Sequence, residues 1–462
     1  MTISDKSAPG KHAGHLAREL AETVRLATPM ALTQLSQIAM MTTDLAFIGR
    51  LGKDAVAAAA LAGTVYWIGF TVGMGLMSAV APLVAQAFGA RNPRLVRRSL
   101  RAGLWAALLI ALPIMALPLR GERILLALGQ APVPAHLAQQ YLFGLAWGVA
   151  PALWFLAIRG FMGAVNRPEP VLWITLAAIP VNALLVYLLI YGKGGLPHLG
   201  LFGAGLATTL VNCGTFLAAL WFATNRRPFD DYRVLVRLWR VDWSLMRQLI
   251  EIGAPISIAF LLEYGLFSAA ALLMGLISTT AIAAHQIALQ VTAILFMVPF
   301  GISMAATVRV GHAIGRNDAA GVRRAGLIAI SLRIAIAAVL TLGVVLTRFA
   351  IARFFFGQAS VNAQATVALA AQLLLVGASF FVTDAIQSIA AGSLRGMRDT
   401  RVPLVFAAIG YWLIGFSAAY AAGFRTSLGA VGVWIGLSAG TAVYAALLTL
   451  RFHLLAARLV GR

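Results

Sequence analysis

FGARNPRLVRRS at residues 88–99 and IGRNDAAGVRRA at residues 314–325 decide the fold, because the second stretch repeats the first after 226 residues. At this offset the chain matches itself without a gap over about three predicted helices. The matched pairs include Pro29 with Pro255, Gly49 with Gly275, and Gly75 with Gly301. Later insertions widen the offset to 233. The sequence therefore predicts a tandem duplication.

The composition places both copies in a membrane. Hydrophobic residues make up 61% of the chain and charged residues 11%, with a mean hydropathy of +0.87, whereas soluble proteins are about 25% charged. Apolar runs of about 20 to 30 residues recur throughout, the length that a helix needs to cross a bilayer. We predict an all-α integral membrane protein with twelve transmembrane helices in two six-helix bundles, related by pseudo-two-fold symmetry. The predicted spans are 23–48, 56–88, 98–118, 138–163, 169–191, 200–223, 248–277, 281–313, 325–346, 367–394, 402–423 and 429–453.

The duplication also sets the predicted domain boundaries. They are a cytoplasmic N-terminal tail at 1–22, an N-lobe at 23–223, a cytoplasmic inter-lobe linker at 224–247, a C-lobe at 248–455 and a C-terminal tail at 456–462. Because six is an even number of spans, both lobes begin on the same side and are parallel repeats. The linker is the longest and most polar connection, and its Trp239 and Trp243 are expected at the level of the lipid headgroups.

Basic residues alternate between the two sides of the predicted membrane. The connections after even-numbered helices carry sixteen arginines, against eight arginines and lysines in the opposite set. The positive-inside rule then makes both termini cytoplasmic, in an inner (plasma) membrane of bacterial type. The net charge is +21, and the basic residues are expected to contact the headgroups of membrane lipids and not nucleic acid. We expect a monomer, and the single cysteine, Cys213, excludes an intramolecular disulfide.

Three acidic residues lie deep inside apolar runs: Asp44, Glu263 and Asp384. A carboxylate near the centre of a spanning helix costs about 2.5–3.5 kcal/mol on insertion scales, so such residues are usually kept for function. The duplication repeats none of them, since Ala270, Gln37 and Pro151 stand at the corresponding positions. We therefore interpret the three acids as ion-handling or substrate-binding groups with different roles in the two halves.

Four stretches carry a resemblance to a known family. They are ATPMALTQLSQIAMMTTDLAFIGRLG at 27–52, LLEYGLFSAAALLMGLISTTAIAAHQIALQ at 261–290, RVGHAIGRND at 309–318 and DAIQSIAAGSLRGMRDTRVPL at 384–404. On these residues the chain resembles the multidrug and toxic compound extrusion family, MATE, and most closely its NorM-like branch. The resemblance covers nearly the whole chain. It implies a multidrug efflux antiporter, which exports organic, often cationic, compounds in exchange for inward H+ or Na+ and needs no cofactor.

The resemblance also assigns roles to the three acids. Asp44 corresponds to the first-helix acid of the amino-terminal lobe, whereas Glu263 and Asp384 resemble a cation site of the carboxy-terminal lobe, where Na+ is a candidate. Two departures weaken sodium binding: Phe380 replaces a tyrosine of the family, and only Asn182 remains of two asparagines in the fifth span. Sodium needs several oxygen ligands and a proton needs fewer. The coupling ion is therefore left open between H+ and Na+.

Further polar and aromatic residues are candidates for an accessory cavity around the acids: Gln34, Gln37, Asn182, Tyr264, Phe380 and His285. For several of them a simpler interpretation is preferred. The two glutamines are expected to hydrogen-bond between helices, His285 is expected to cap or bridge helices, and the aromatic residues are expected to pack. Arg309 and His312, near the inner end of the eighth span, are expected to reach lipid headgroups, with a gating pair as the alternative.

Other classes of function were weighed against efflux. The chain has no phosphate-binding glycine loop, no metal-spaced His/Cys set and no nucleophile elbow, so we do not expect an enzyme. A channel is disfavoured by two bundles with unequal acids. The main alternative is a lipid-linked precursor flippase of the same two-bundle superfamily. Such a protein is expected to present several basic residues in its cavity, and the apolar spans are expected to lack them.

Overall fold

The computed structural model describes residues 9–195, 197–356 and 363–460, and every regular element in these ranges is helical. Residues 1–8 of the predicted N-terminal tail and 461–462 of the predicted C-terminal tail lie outside the described residues. The helices are α1 (Pro9–Gly49), α2 (Lys53–Met77), α3 (Val80–Gly89), α4 (Pro93–Leu119), α5 (Gly121–Ala127), α6 (Pro132–Ala146), α7 (Val149–Ala164), α8 (Glu169–Tyr191), α9 (Gly200–Asn225), α10 (Trp243–Ile277), α11 (Thr279–Gly315), α12 (Ala319–Phe356), α13 (Ala363–Gly396), α14 (Arg401–Ala407), α15 (Ser417–Phe424) and α16 (Ala430–Val460). A 3₁₀ turn at Asp230–Tyr232 lies in the linker, and a π-helical segment at Ala408–Phe416 joins α14 to α15.

The helices are long and apolar enough for a membrane protein. Among the described residues, ten helical stretches can cross a bilayer by length and mean hydropathy, or eleven if the bent pair α6 and α7 forms one span. Helix α1 covers the predicted first span but is not among these stretches, since its glutamine, serine and threonine residues make it less apolar than the others. The predicted all-helical membrane fold is confirmed.

Two predicted spans are broken. The span predicted at 56–88 is divided between α2 and α3, and the span predicted at 138–163 is divided between α6 and α7 with a bend of 47°. Each break lies just before a proline, Pro82 in α3 and Pro151 in α7. A proline has no N–H for the carbonyl four residues earlier, so the helix loses a bond at Ser78 or Trp147. Backbone chemistry therefore explains both interruptions.

The duplicated motif folds the same way in both copies. Asn92 caps α4 by accepting from the Leu95 N–H at 3.0 Å, and Asp318 accepts from the Gly321 N–H at 2.7 Å at the start of α12. The preceding residues, Arg91 and Asn317, both have positive φ, 53° and 57°. Each pair is related by the 226-residue offset. The turn is thus a repeated structural element that ends one helix and starts the next.

Contacts divide the chain into two compact units. The Asp44 unit comprises Leu32–Gly265 and Arg398–Ala408, and the Asp384 unit comprises the described part of Met1–Ala31 with Leu266–Met397 and Ile409–Arg462. Two of the four boundaries fall inside the first helix of a repeat, α1 after Ala31 and α10 after Gly265. The predicted lobes assign each of these helices whole to one lobe. The predicted lobe boundaries at 23–223 and 248–455 stay a prediction.

A close helix crossing at equivalent positions occurs in each unit. In the Asp44 unit, a Cβ added at Gly75 of α2 would lie 2.5 Å from the Ser257 Cα of α10. In the Asp384 unit, a Cβ at Gly301 of α11 would lie 2.5 Å from the Ala31 backbone nitrogen of α1. Gly75 corresponds to Gly301, and Ala31 to Ser257, at the 226-residue offset. Glycine is therefore needed where the first helix of one repeat packs on the second helix of the other.

The linker is anchored on α4 within the Asp44 unit. Arg98 contacts Asp242 at 2.6 Å, Arg101 donates to the Arg237 carbonyl at 3.0 Å, and Trp105 donates to the Leu238 carbonyl at 2.7 Å. Trp239 and Trp243 are 74% and 71% exposed. Such exposure suits the predicted contact with lipid headgroups, because indole rings favour the membrane interface.

Candidate functional site

The Asp44 carboxylate is bound by two other helices of its unit. The Asn182 side-chain amide of α8 donates to Asp44 Oδ1 at 2.5 Å, and the Thr208 hydroxyl of α9 donates to Oδ2 at 3.4 Å. Asn182 is fully buried, whereas Asp44 is half-buried. Hydrogen bonds to both oxygens compensate part of the cost of holding a carboxyl group inside an apolar bundle. The fold thus brings together two residues that the sequence singled out, and adds Thr208.

Aromatic side chains lie one helical turn beyond Asp44. Phe47 is 6.3 Å from Tyr187 and 6.4 Å from Tyr191 between ring centroids, and the Tyr191 hydroxyl donates to the Phe47 carbonyl at 3.3 Å. The Arg50 guanidinium lies 5.7 Å from the centre of the Phe47 ring. Aromatic faces attract cations and accept varied shapes. This part of the unit therefore offers an apolar surface next to an acid.

Gln34 forms a contact that sequence reasoning missed. Its Oε1 accepts from Arg159 Nη1 of α7 at 2.7 Å, and the glutamine is 7% exposed. The expectation that Gln34 bonds between helices is confirmed, but the expectation that the apolar spans lack basic residues is wrong at Arg159. The signal was present, because an arginine interrupts the apolar run WFLAIRGFMG at 154–163.

Gln37 lies on the same helix as Gln34 and Asp44. It is half-buried and stands seven residues before Asp44. Seven residues are about two helical turns, so the two side chains emerge from the same face of α1. This placement is compatible with the predicted accessory role.

Asp384 lies in a small pocket of the other unit. It is 6% exposed, and the pocket is lined by residues of three helices: Thr292, Leu295, Phe296 and Pro299 of α11, Ala337, Leu340 and Thr341 of α12, and Phe381 and Asp384 of α13. The two threonines are the polar neighbours in this lining, and aromatic rings supply much of the rest. The pocket beside Asp384 therefore combines two hydroxyl groups with a largely apolar lining.

Glu263 and Tyr264 lie in α10, in the part of that helix that belongs to the Asp44 unit. Glu263 is half-buried, and Tyr264 is 37% exposed. A sodium ion shared by Glu263 and Asp384 stays a prediction. Within the described ranges, no three His, Cys, Asp or Glu side chains cluster as metal ligands.

Phe380 and His285 belong to one buried cluster in the Asp384 unit. The Trp434 indole N–H of α16 donates to His285 Nδ1 of α11 at 3.1 Å, and His285 is fully buried. Phe380 lies 5.8 Å from Trp434 and 5.9 Å from Phe267 between ring centroids. The preferred interpretation of His285, a bridge between helices, is confirmed. Because Nδ1 accepts a hydrogen bond, the imidazole is neutral in this arrangement.

Arg309 joins α11 to α1. Its Nη1 donates to Glu22 at 2.9 Å, its Nη2 contacts Glu19, and its side chain is 13% exposed. The expectation that Arg309 reaches lipid headgroups is therefore wrong, because two carboxylates of α1 hold the guanidinium inside the unit. The ion pair with these two acids of α1 was not predicted from the sequence.

A family model and the most similar proteins of known name point to the same family. The family model described as MatE matches residues 29–188 and again 255–421, so the two matches begin at the 226-residue offset of the duplication. A "Probable multidrug resistance protein NorM" from Bradyrhizobium diazoefficiens is 67% identical over 462 residues, covering 100% of this chain and 99% of that protein. A protein of the same name from Rhodopseudomonas palustris is 57% identical over 435 residues, covering 94% and 92%.

Solved structures share the fold at low sequence identity. The eukaryotic MATE transporter AtDTX14 superposes with a TM-score of 0.85 at 21% identity, covering 96% of this chain and 98% of that one. A MOP superfamily transporter from Pyrococcus furiosus, described as having a binding pocket of reverse polarity, superposes with a TM-score of 0.84 at 20% identity, covering 96% of each chain. At such identity these structures establish the fold alone.

Proposed function

The chain belongs to the MatE family, and from this premise we propose that it exports small organic, often cationic, compounds across the bacterial inner membrane as an ion-coupled antiporter. Two relatives that match nearly the whole chain bear the name multidrug resistance protein. The observation that carries the proposal is the Asp44 carboxylate, held by Asn182 and Thr208 within a bundle of spanning helices. A carboxylate inside the spanning region can bind a cation and release it again, which an exporter of cationic compounds requires.

In the proposed cycle, Asp44, Glu263 and Asp384 alternate between binding an inward-moving ion and releasing it. Ion loading from outside favours release of the compound, and ion release inside restores the binding-competent state. The coupling ion is H+ or Na+. The contacts of Asp44 come from one amide N–H and one hydroxyl, and an amide N–H cannot ligate a metal ion. The Asn182 carbonyl oxygen and the Thr208 hydroxyl oxygen could ligate sodium, so these contacts are compatible with either ion.

The available energy is sufficient for efflux. One cation moving inward through 100 mV releases about 2.3 kcal/mol, which supports roughly a fifty-fold gradient of a neutral solute. For a monovalent cationic compound exchanged one for one, the membrane potential does no net work. Such a compound requires the chemical gradient of the ion, or a second ion.

The flippase alternative requires several basic residues around one cavity to hold a pyrophosphate. In the described part of the spans, Arg159 supplies one such group. Efflux is therefore preferred, with both termini proposed on the cytoplasmic side and phospholipids as the surrounding partners. Transport, and not an enzymatic reaction, is the proposed activity.

The test is export of a fluorescent organic cation, ethidium, by cells that lack their own efflux pumps. We expect lower ethidium accumulation when the protein is present, and loss of the difference when a protonophore collapses the proton gradient. The same cells with and without sodium identify the ion. Unchanged accumulation, with the protein detected in the membrane, would contradict the proposal.

A further inference from the structure

An arginine cluster lies where the linker packs on the beginning of α4 in the Asp44 unit, and the proposed transport cycle does not use it. Arg97, Arg98 and Arg101 come from α4, and Arg240 comes from the linker. The charges of the other three arginines act on Arg101, as does the carboxylate of Asp242. That carboxylate pairs with Arg98 at 2.6 Å. Among the residues that the structure describes, the other three arginines of the cluster form no salt bridge.

Two guanidinium nitrogens of the cluster are buried without an acceptor. Arg101 is 8% exposed, and its Nη1 donates to the Arg237 carbonyl at 3.0 Å. Within the described part of the chain, the buried Nε atoms of Arg101 and Arg97 have no hydrogen-bond partner. The two arginines are four residues apart, so their side chains emerge from the same face of α4. A ligand with several anionic oxygens would satisfy both donors, since unmet donors on a charged group are costly.

The second repeat indicates that the helix itself does not need the whole cluster. The Arg97-Arg98 pair corresponds to Arg323-Arg324 of α12 at the 226-residue offset, but Arg101 corresponds to Leu327. Like charges one turn apart on a helix are destabilising, so helix stability gives no reason to place an arginine at this position in one repeat alone. The same argument from unequal repeats marks the three acids of the spans for function.

The linker presents large apolar side chains next to the arginines. Phe229 is buried, whereas Leu235, Trp239 and Trp243 are exposed, and Trp239 directly precedes Arg240. The linker therefore has one face that packs on the protein and another that projects away from it. Indole rings favour the membrane interface, where apolar side chains contact the upper part of the acyl chains. Exposed apolar groups beside a basic cluster fit an amphiphilic ligand, because inorganic phosphate would leave the apolar face unused.

We propose that this arginine cluster, with the two exposed tryptophans of the linker beside it, forms a binding site for one anionic phospholipid of the inner leaflet. Arg97, Arg101 and Arg240 hold the phosphate, and the apolar part of the lipid lies against Trp239 and Trp243. A planar guanidinium matches the geometry of a phosphate and binds it in a bidentate manner. Anionic lipids of the cytoplasmic leaflet attract basic segments next to spanning helices. The inference uses the proposed cytoplasmic side of the linker and not the proposed substrates.

A purely structural role of the cluster makes a different prediction. If Arg101 only ties the linker to α4 through the Arg237 carbonyl, its loss weakens the fold whichever lipid is present. If the cluster binds a phospholipid, its loss removes the preference for an anionic headgroup. Two lipids with the same dioleoyl chains separate these outcomes: phosphatidylglycerol, which is anionic, and phosphatidylcholine, which is zwitterionic. Glycerophosphate supplies the phosphate group without the chains.

The experiment adds each compound to the purified, delipidated full-length protein in a neutral detergent. Native mass spectrometry counts the bound lipids, and thermal denaturation gives the unfolding midpoint. We expect one phosphatidylglycerol to bind and raise the midpoint, and phosphatidylcholine to bind about tenfold more weakly. Arg240→Gln and Arg101→Gln should each weaken phosphatidylglycerol binding by about tenfold, since a charge-assisted contact is lost. Arg323→Gln, at an exposed position of the equivalent motif in α12, is the matched control and should bind as the wild-type protein does.

Arg240 is exposed, so Arg240→Gln keeps the test decisive even if Arg101→Gln does not fold. Trp239→Ala retains every arginine and should also weaken phosphatidylglycerol binding, because the apolar contact is lost. Equal binding of the two lipids by the wild-type protein, or equal weakening in Arg240→Gln and Arg323→Gln, would overturn the site. Glycerophosphate that binds as tightly as phosphatidylglycerol would also overturn it and identify a soluble phosphate compound as the ligand. Binding is measured in detergent without an ion gradient, so each of these outcomes leaves the proposed efflux intact.

Discussion

The turn between α3 and α4 and the turn between α11 and α12 share a side-chain cap and a positive-φ residue at equivalent positions, whereas Asp44 and Asp384 have no acidic counterpart in the other repeat. Asp44 accepts hydrogen bonds from Asn182 and Thr208, and Asp384 lies in a pocket of threonine and phenylalanine side chains. The position that corresponds to Asp384 in the first repeat is Pro151, an uncharged residue in the first turn of α7. Duplication has therefore preserved the scaffold and not the chemistry.

The largest expected effects come from removing the unrepeated charges. Asp44→Asn, Glu263→Gln and Asp384→Asn should each lower ion-driven export by about tenfold or more, because a hydrogen bond to a charged group contributes about 1.5–3 kcal/mol and 1.4 kcal/mol is a factor of ten. Export of ethidium by energised cells, normalised to the protein in the membrane, measures the effect.

Asp54→Asn is the control for the acids, since Asp54 is an exposed aspartate in the first turn of α2. It should export as the wild-type protein does. Full gradient-driven export by the Glu263→Gln and Asp384→Asn variants would show that one repeat alone carries the chemistry, and the contrast between the repeats would then lose its functional meaning.

The repeated glycine crossings should respond alike. Gly75→Ala and Gly301→Ala each place a methyl group 2.5 Å from backbone atoms of the opposing helix, and overpacking of this kind costs about 1–3 kcal/mol. Thermal unfolding in detergent should show a lower midpoint for both variants. Gly63→Ala, with nothing within 4 Å of the added Cβ, should be neutral or slightly stabilising. A loss at one crossing only would mean that the two crossings are not equivalent.

The helix caps should show a smaller loss that is again equal in the two repeats. Asn92→Ala and Asp318→Ala each remove one side-chain acceptor from a helix N-terminus, which costs about 1 kcal/mol. Asp318→Asn keeps the acceptor and should restore most of the stability in the same thermal assay. If Asp318→Asn is as unstable as Asp318→Ala, the 3.7 Å contact of Asp318 with Arg324 matters more than the cap.

The features that could be predicted from the sequence are those that depend on local apolar patterns and on the internal repeat. Apolar length predicts the helices, and the 226-residue offset predicts that Gly75 and Gly301 have equivalent roles. The breaks at Ser78 and Trp147 could also have been read from the prolines four residues later, but the apolar runs continue across both.

Contacts between distant helices were harder to predict. The family resemblance makes Asn182 a candidate. Its hydrogen bond to Asp44 depends on how α8 packs on α1, which the sequence alone does not predict. Arg159 is not among the residues predicted from the sequence, because the candidates inside apolar runs were restricted to acidic residues. Arg309 is separated from Glu19 and Glu22 by 290 and 287 positions in the sequence. No local sequence pattern predicts which residues meet over such a separation.

The smallest expected effect on stability comes from Asp242, which has no acidic counterpart in the first repeat. Asp242 stands just before α10, while Leu16 occupies the corresponding position before the first span. Burial alone would raise the pKa of Asp242, but hydrogen bonds from Arg98 and the Leu245 N–H, with the charges of Arg98 and Arg101, outweigh it and hold the pKa below its ordinary value. The carboxylate therefore stabilises the folded protein in its charged form.

The sign of the pH dependence follows from that lowered pKa. The contribution is complete above the unfolded pKa of about 3.9 and is lost as the pH falls through the folded value. Asp242→Asn should lower the unfolding midpoint slightly at pH 7, by an amount corresponding to about 1 kcal/mol or less, because Arg98 is largely exposed. The difference from the wild-type protein should begin to shrink as the pH falls below about 4 and should vanish only below the lowered pKa of folded Asp242. A difference that stays constant down to pH 3 would mean that the Leu245 cap, and not the charge of Asp242, anchors the linker at the start of α10.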